Sequence, residues 1–198
     1  MKKALIILIF LIAPSLGFAG VKGVFTVLPG PMPKAGSLKQ VVVHEFFAFH
    51  CPHCHHFHAE LKALKKKFGK KLKVVYVPID WAGPDPAKLY YIAQAKGKGM
   101  DVMDMLFDFI HEKGLGDSLY KDRFKLAYVA KLNGLMDEFK KDIDSPAITA
   151  QYNKGRELAQ QKGVDSTPVL VVEGVLKATG NADNLTLIIN SLLQKPVK

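Results

Sequence analysis

The 198-residue sequence carries 28 Lys and Arg against 18 Asp and Glu, a formal net charge of +10, with 48% hydrophobic residues and two cysteines. That apolar content excludes a disordered chain, and a chain of this length buries a full core without a disulfide framework. The basic residues are interspersed with acidic ones, the tightest run being Lys65, Lys66 and Lys67, which reads as a solvated helix face and speaks against nucleic acid as a partner.

Residues 1–19 place Lys2 and Lys3 ahead of an apolar stretch from Ala4 to Ala13 and close on the small residues Gly17 and Ala19. This layout predicts a cleaved secretory signal, because the apolar run is about half of the roughly 20 residues a spanning helix needs. The mature chain, residues 20–198, is then expected in the periplasm, an oxidising setting.

Val24 to Leu28 is a candidate edge strand, weakened by Pro29 and Pro31. Val41 to Phe49 (VVVHEFFAF) is rich in β-branched and aromatic residues and predicts a buried strand running into Cys51-Pro52-His53-Cys54. From His55 to Phe68 the period changes: Phe57, Leu61, Leu64 and Phe68 recur at helical spacing. Pro52 then falls in the first turn of that helix, where a missing N–H costs nothing. Leu72 to Ile79 predicts a second strand, parallel to the first through a right-handed crossover. Pro86 to about Gln161 is helical in pattern, broken near Gly97, Gly114, Gly134 and Ser145-Pro146, for four or five short helices. Met103, Leu106, Phe107 and Ile110 form an apolar stripe there, and Trp81 and the methionines read as core. Pro168 to Val172 and Val175 to Thr179, separated by Glu173-Gly174, predict a hairpin, and Asp183 to Leu193 a closing helix. The sequence has no repeats and no low-complexity linker, so the pattern predicts one α/β domain with a helical insertion at about 84–163.

Two cysteines three apart close too short a loop to serve stability well: the chain-entropy model gives such a bridge about 2 kcal/mol, against about 3 for a fifteen-residue loop. Chemistry is the better reading. A thiolate, not a thiol, attacks disulfides, and three features favour an anion at Cys51. It stands at a helix N-terminus, where free N–H groups and the helix dipole attract negative charge. His53 can donate a hydrogen bond or a positive charge to the same sulfur. Cys54, one turn further in, can offer its S–H and close the ring as the resolving residue. A stabilised thiolate favours the reduced form, which makes the Cys51–Cys54 disulfide an oxidant.

Strand alternation puts Glu45 on one face with Phe47 and Phe49, behind the cysteines. A carboxyl among aromatic neighbours needs a reason. It is either a proton relay for Cys54 or the partner of a lysine on the neighbouring strand.

The run Glu45-Phe46-Phe47-Ala48-Phe49-His50-Cys51-Pro52-His53-Cys54 resembles the active-site strand and loop of the periplasmic DsbA-type dithiol oxidases, and Gly163-Val164-Asp165-Ser166-Thr167-Pro168 is similar to their cis-proline loop. The resemblance covers nearly the whole mature chain, and it implies a thioredoxin-like fold carrying the helical insertion. It further implies that Cys51 takes a mixed disulfide with a reduced, unfolded exported protein, that Cys54 resolves it, and that a DsbB-type membrane partner reoxidises the pair. Pro168 would carry a cis peptide bond beside Cys51, and with Thr167 would receive an extended substrate. Two departures stand out. Thr167 replaces a common valine and resembles reductases and isomerases, its hydroxyl being expected at the Cys51 sulfur. Val75 stands where a lysine often pairs with the buried glutamate, leaving Lys73 as a substitute.

Two rivals come from other classes. Cys51, Cys54 and His55 also spell the attachment signature of c-type haem, with Met100, Met103 or Met105 as an axial ligand, but the flanking strands argue against a haem-enclosing context. The histidines at 44, 50, 53, 55, 56 and 58 suggest a Cys/His metal module through Cys51, Cys54 and His58, though around a helix start they point in several directions. His111 reads as a surface or capping residue. The reading adopted is a monomeric thiol-disulfide oxidoreductase without cofactor or metal, a dithiol oxidase with reductase or isomerase as its alternative.

Overall fold

The computed structural model describes residues 20–194, so the signal expected over residues 1–19 lies outside the described residues. β1 (Thr26–Val27), β2 (Val41–Phe47), β3 (Leu72–Pro78), β4 (Val169–Val172) and β5 (Leu176–Thr179) form one sheet in the order β1-β5-β4-β2-β3. β2 and β3 are parallel, and the remaining pairs are antiparallel. β2 lies inside the sheet and is covered on both faces, which is why its sequence is an almost unbroken apolar run rather than an alternating one.

The strand period still sorts its side chains. Val41, Val43 and Phe47 join the main core, with Phe57, Leu61 and Leu64 of α1 (Pro52–Phe68) and Leu185, Ile188, Ile189 and Leu192 of α8 (Ala182–Leu192). Phe46 points the other way, into a smaller core with Val77, Ile79, Val169 and Val171, capped by Ala159 of α7 (Pro146–Gln161). The hairpin turn places Glu173 and Gly174 at φ of 51° and 74°, the left-handed region that glycine tolerates and that suits the strand twist.

Between β3 and β4 lie α2 (Asp85–Ala95), α3 (Gly99–Phe107), a π-helical turn (Asp108–Glu112), α4 (Gly116–Lys121), α5 (Arg123–Leu132), α6 (Met136–Asp142) and α7. That is six α-helices rather than four or five. The unforeseen break is at Asp122, which no glycine or proline marks. Its backbone is extended and its carboxylate accepts the Phe124 N–H at 2.9 Å, capping α5. Ser145 caps α7 in the same way, accepting from the Ile148 N–H. Met103, Leu106, Phe107 and Ile110 are buried as the helical spacing predicts, whereas Trp81 is 54% exposed, contrary to its core reading. Among the described residues no helix is long and apolar enough to cross a membrane.

Candidate active site

β2 ends at Phe47, two residues earlier than its apolar run suggests, and residues 48–50 turn the chain toward α1. The Cys51 N–H donates to the Ala48 carbonyl at 3.2 Å and so closes this turn. Cys51 is the N-cap of α1, with an extended backbone (φ −83°, ψ 114°) and Pro52 following at the start of the helix. Its sulfur therefore sits where unpaired N–H groups and the helix dipole favour an anion. Cys51 is half-buried and Cys54 fully buried, and both are free thiols. Burial pushes the Cys54 thiol up, against weaker opposing effects from the Ala48 backbone and the Thr167 side chain. His53 is exposed on the first turn of the helix.

The loop before β4 closes the site from the other side. The Thr167–Pro168 peptide is cis, and the Cys51 thiol donates to the Thr167 carbonyl at 3.4 Å. This corrects one sequence expectation: the Thr167 carbonyl meets Cys51, while the Thr167 side chain acts on Cys54. The Thr167 N–H has no hydrogen-bond partner among the described residues.

Gly180, which the sequence did not single out, packs directly behind Pro168. Its N–H donates to the Pro168 carbonyl at 3.1 Å, and a Cβ there would stand 2.4 Å from Pro168 Cγ and 3.3 Å from Phe57 Cγ. Glycine is needed here for space. Gly180→Ala is expected to displace the proline loop, to slow dithiol exchange and to destabilise the fold by about 1–3 kcal/mol, the usual range for overpacking. Denaturant melts and exchange assays on the variant measure both, and unchanged values for both would refute the packing argument.

Glu45 is 2% exposed, and burial pushes its carboxyl up to about 8, with Lys65 of α1 as the opposing charge. The register pairs Glu45 with Tyr76, Val75 with His44 and Lys73 with Val42. Alternation thus sends Lys73 and Val75 to the opposite face of the sheet, and Lys73 is not a substitute partner for Glu45. Lys65 lies over the Tyr76 ring, its Nζ 5.2 Å from the centroid. Among the described residues no hydrogen bond or ion pair reaches the Glu45 carboxyl, and at neutral pH it keeps its proton.

The histidines have separate tasks. His58 is buried, its Nε2 paired with Asp104, which also takes Lys62 at 2.6 Å. No group of three or more His, Cys, Asp or Glu among the described residues is arranged to hold a metal. His111 is half-buried, and its ring satisfies a backbone carbonyl. Its Nε2–H donates to the Phe49 carbonyl at 2.7 Å, and its ring stacks on His55 at 4.8 Å between centroids. His50 Nδ1–H donates to the buried Asp80 at 2.8 Å, and the same oxygen accepts the Phe49 N–H at 2.9 Å. Nothing in the sequence pattern foretold the Asp80 and His111 contacts, since their partners lie about 30 and 60 residues away along the chain.

A family model described as thioredoxin matches residues 35–190. The thiol:disulfide interchange protein DsbA of Burkholderia cepacia is 28% identical over 160 residues, covering 80% of this chain and 74% of that protein. The protein of the same name from Azotobacter vinelandii is 27% identical over 174 residues, 85% and 80% of the two chains. Among solved structures, the oxidoreductase DsbA of Xylella fastidiosa superposes with a TM-score of 0.67 at 25% identity, covering 79% of this chain and 89% of its own. Pseudomonas aeruginosa DsbA, at 21% identity and a TM-score of 0.70 over 86% of this chain and 90% of its own, shares the fold.

Proposed function

We propose, from the premise that this chain belongs to the thioredoxin family and to its DsbA group of thiol-disulfide oxidoreductases, that it is a dithiol oxidase whose reacting pair is Cys51 and Cys54. The observation that carries this reading is the asymmetry of the two sulfurs. Cys51 is half-exposed at the head of α1 and Cys54 is sealed beneath it.

In the oxidising direction a substrate thiolate attacks Cys51 Sγ, the Cys51–Cys54 bond breaks, and Cys54 leaves with the electron pair. Cys54 then takes up a proton, as its burial favours. A second substrate thiolate attacks the substrate sulfur of the mixed disulfide, and Cys51 leaves as the thiolate that the helix N-terminus stabilises. His53, in the same first turn, adds a polar hydrogen at the mouth of the site. Glu45 supplies the proton for Cys54, since its carboxyl stays protonated at neutral pH on the cysteine side of the sheet.

Thr167 and Pro168 form the substrate ledge. The unpaired Thr167 N–H belongs to the same residue as the carbonyl that touches Cys51, so an extended segment can add to this loop as a strand while its cysteine reaches the sulfur. Reduced, unfolded exported proteins present such segments. A DsbB-type membrane protein is the reoxidant, and the protein works as a monomer in the periplasm after loss of residues 1–19. The thioredoxin-like domain then spans 20–198, with the helical insertion at about 84–163.

Reductase or isomerase activity is the second reading, and Thr167 favours it, because a hydroxyl near Cys54 alters the balance between the two redox states. The equilibrium of the couple against glutathione decides between them. The expected result is a disulfide that glutathione reduces readily, and a strongly reducing potential would overturn the oxidase direction.

A further inference from the structure

We infer that His50, held by the buried carboxylate of Asp80, is a cation that stabilises the Cys51 thiolate alongside His53, and that the His50–Asp80 pair thereby helps to set the oxidising strength of the site. The inference rests on Cys51 being the reacting sulfur. Four observations support it. His50 immediately precedes Cys51, so the two Cα atoms are about 3.8 Å apart, and its ring lies at the exposed rim of the site. Its Nδ1–H donates to Asp80 at 2.8 Å, and the Asp80 side chain is wholly inaccessible to solvent. A buried carboxylate is costly without a cation, and among the described residues the only ion pair to Asp80 comes from His50. The hydrogen bond to Asp80 raises the pKa of His50 above its ordinary value, with burial working in the opposite sense.

Among the described residues no lysine or arginine pairs with His50 or Asp80. The segment after β3 presents Asp80 and Trp81, the Trp81 ring lying 6.4 Å from the imidazole edge-on, and α4 presents Tyr120 at 6.1 Å. Burial holds the Tyr120 hydroxyl in its protonated form, with the Asp80 charge acting in the same sense. From α7, Tyr152 donates its hydroxyl to the Asp80 carbonyl at 2.9 Å. The π-helical turn presents His111, whose pKa burial pulls down, the opposite sense to the shift at His50. From α1, His55 stacks on His111, and His53 and the two cysteines stand at the start of the same helix. Asp80 is therefore a positioning residue, fixing both the ring and the charge of His50 while tying down the Phe49 N–H.

Reduction of the bridge by two substrate thiols transfers two electrons and leaves Cys51 as a thiolate and Cys54 as a thiol, with one of the two substrate protons released. A cation beside Cys51 stabilises this product and not the disulfide. An opposite charge within about 4–6 Å favours an ionised group by about tenfold or more. The test is the glutathione equilibrium of His50→Asn, His50→Lys and Asp80→Asn across pH. His50→Asn is expected to shift the equilibrium toward the disulfide by about tenfold, or ~30 mV for a two-electron couple, below neutrality. That difference from the unmodified protein should fade as pH rises through the His50 titration, because His50 itself then loses its charge. His50→Lys should restore the oxidising equilibrium and keep it into the alkaline range, and Asp80→Asn should move the fading to lower pH. A merely structural role would produce none of these pH signatures. Equal equilibria for His50→Asn and the unmodified protein at every pH would overturn the inference while leaving Cys51 chemistry intact. Exchange surviving in Cys51→Ser would instead remove the reading on which it rests.

Discussion

Cys51→Ser is expected to lose thiol-disulfide exchange altogether, a fall on the order of a thousandfold or more of the kind seen when an enzyme's nucleophile is removed. The reason lies in what remains. Cys54 is wholly buried, and burial pushes its thiol up, so it is both inaccessible and poorly ionised. Cys54→Ser should behave differently. Its surviving cysteine keeps the N-cap position and half-exposed sulfur, so it should still alkylate rapidly with iodoacetamide at neutral pH. With a disulfide-bearing peptide it should accumulate a stable mixed disulfide, because the residue that would resolve it is gone. Mass spectrometry of the two variants reads the difference directly. The assignment of roles fails if the Cys54→Ser protein alkylates more slowly than the Cys51→Ser protein.

The parts of this site legible in the sequence are those set by local physics. A dense β-branched strand, a proline in the first helical turn and a change of period at Cys54 define β2 and α1 with their sulfurs at the junction. Alternation along β2 also placed Glu45 correctly with Phe47, since a period of two is a property of the strand alone. Its neighbours were another matter. Which residue of β3 faces Glu45 depends on a one-residue choice of register, and that choice put Tyr76 there and turned Lys73 away. The same limit applies to Asp80, His111 and Gly180, whose contacts with residues 49, 50 and 168 exist only once the loops have been brought together. Trp81 was misread for a related reason. An aromatic residue in an apolar stretch is usually core, but here the chain leaves β3 at Pro78, and Trp81 lies on the rim beside His50.

Glu45→Gln should make the protein more stable, and increasingly so as pH rises. The carboxyl is pushed from 4.5 up to about 8 by burial in the folded state. Below the unfolded value both states are protonated and the group contributes nothing. Between the two values the unfolded chain releases its proton and the folded one does not, so stability falls by about 1.36 kcal/mol per pH unit. Above the folded value both states are ionised and the full cost is present. Glutamine cannot ionise, so its advantage should be nil in acid, about 3 kcal/mol near pH 7, and level off above pH 8. Urea melts of the two proteins at several pH values measure this, and a difference independent of pH would mean that Glu45 ionises freely in the fold. The same variant bears on the mechanism. If the Glu45 proton is the one delivered to Cys54, exchange should slow as the fold gains stability, a cost to the fold that only the chemistry explains. A stabilised variant exchanging at the unmodified rate would remove Glu45 from the proton path and leave its burial without a functional reason.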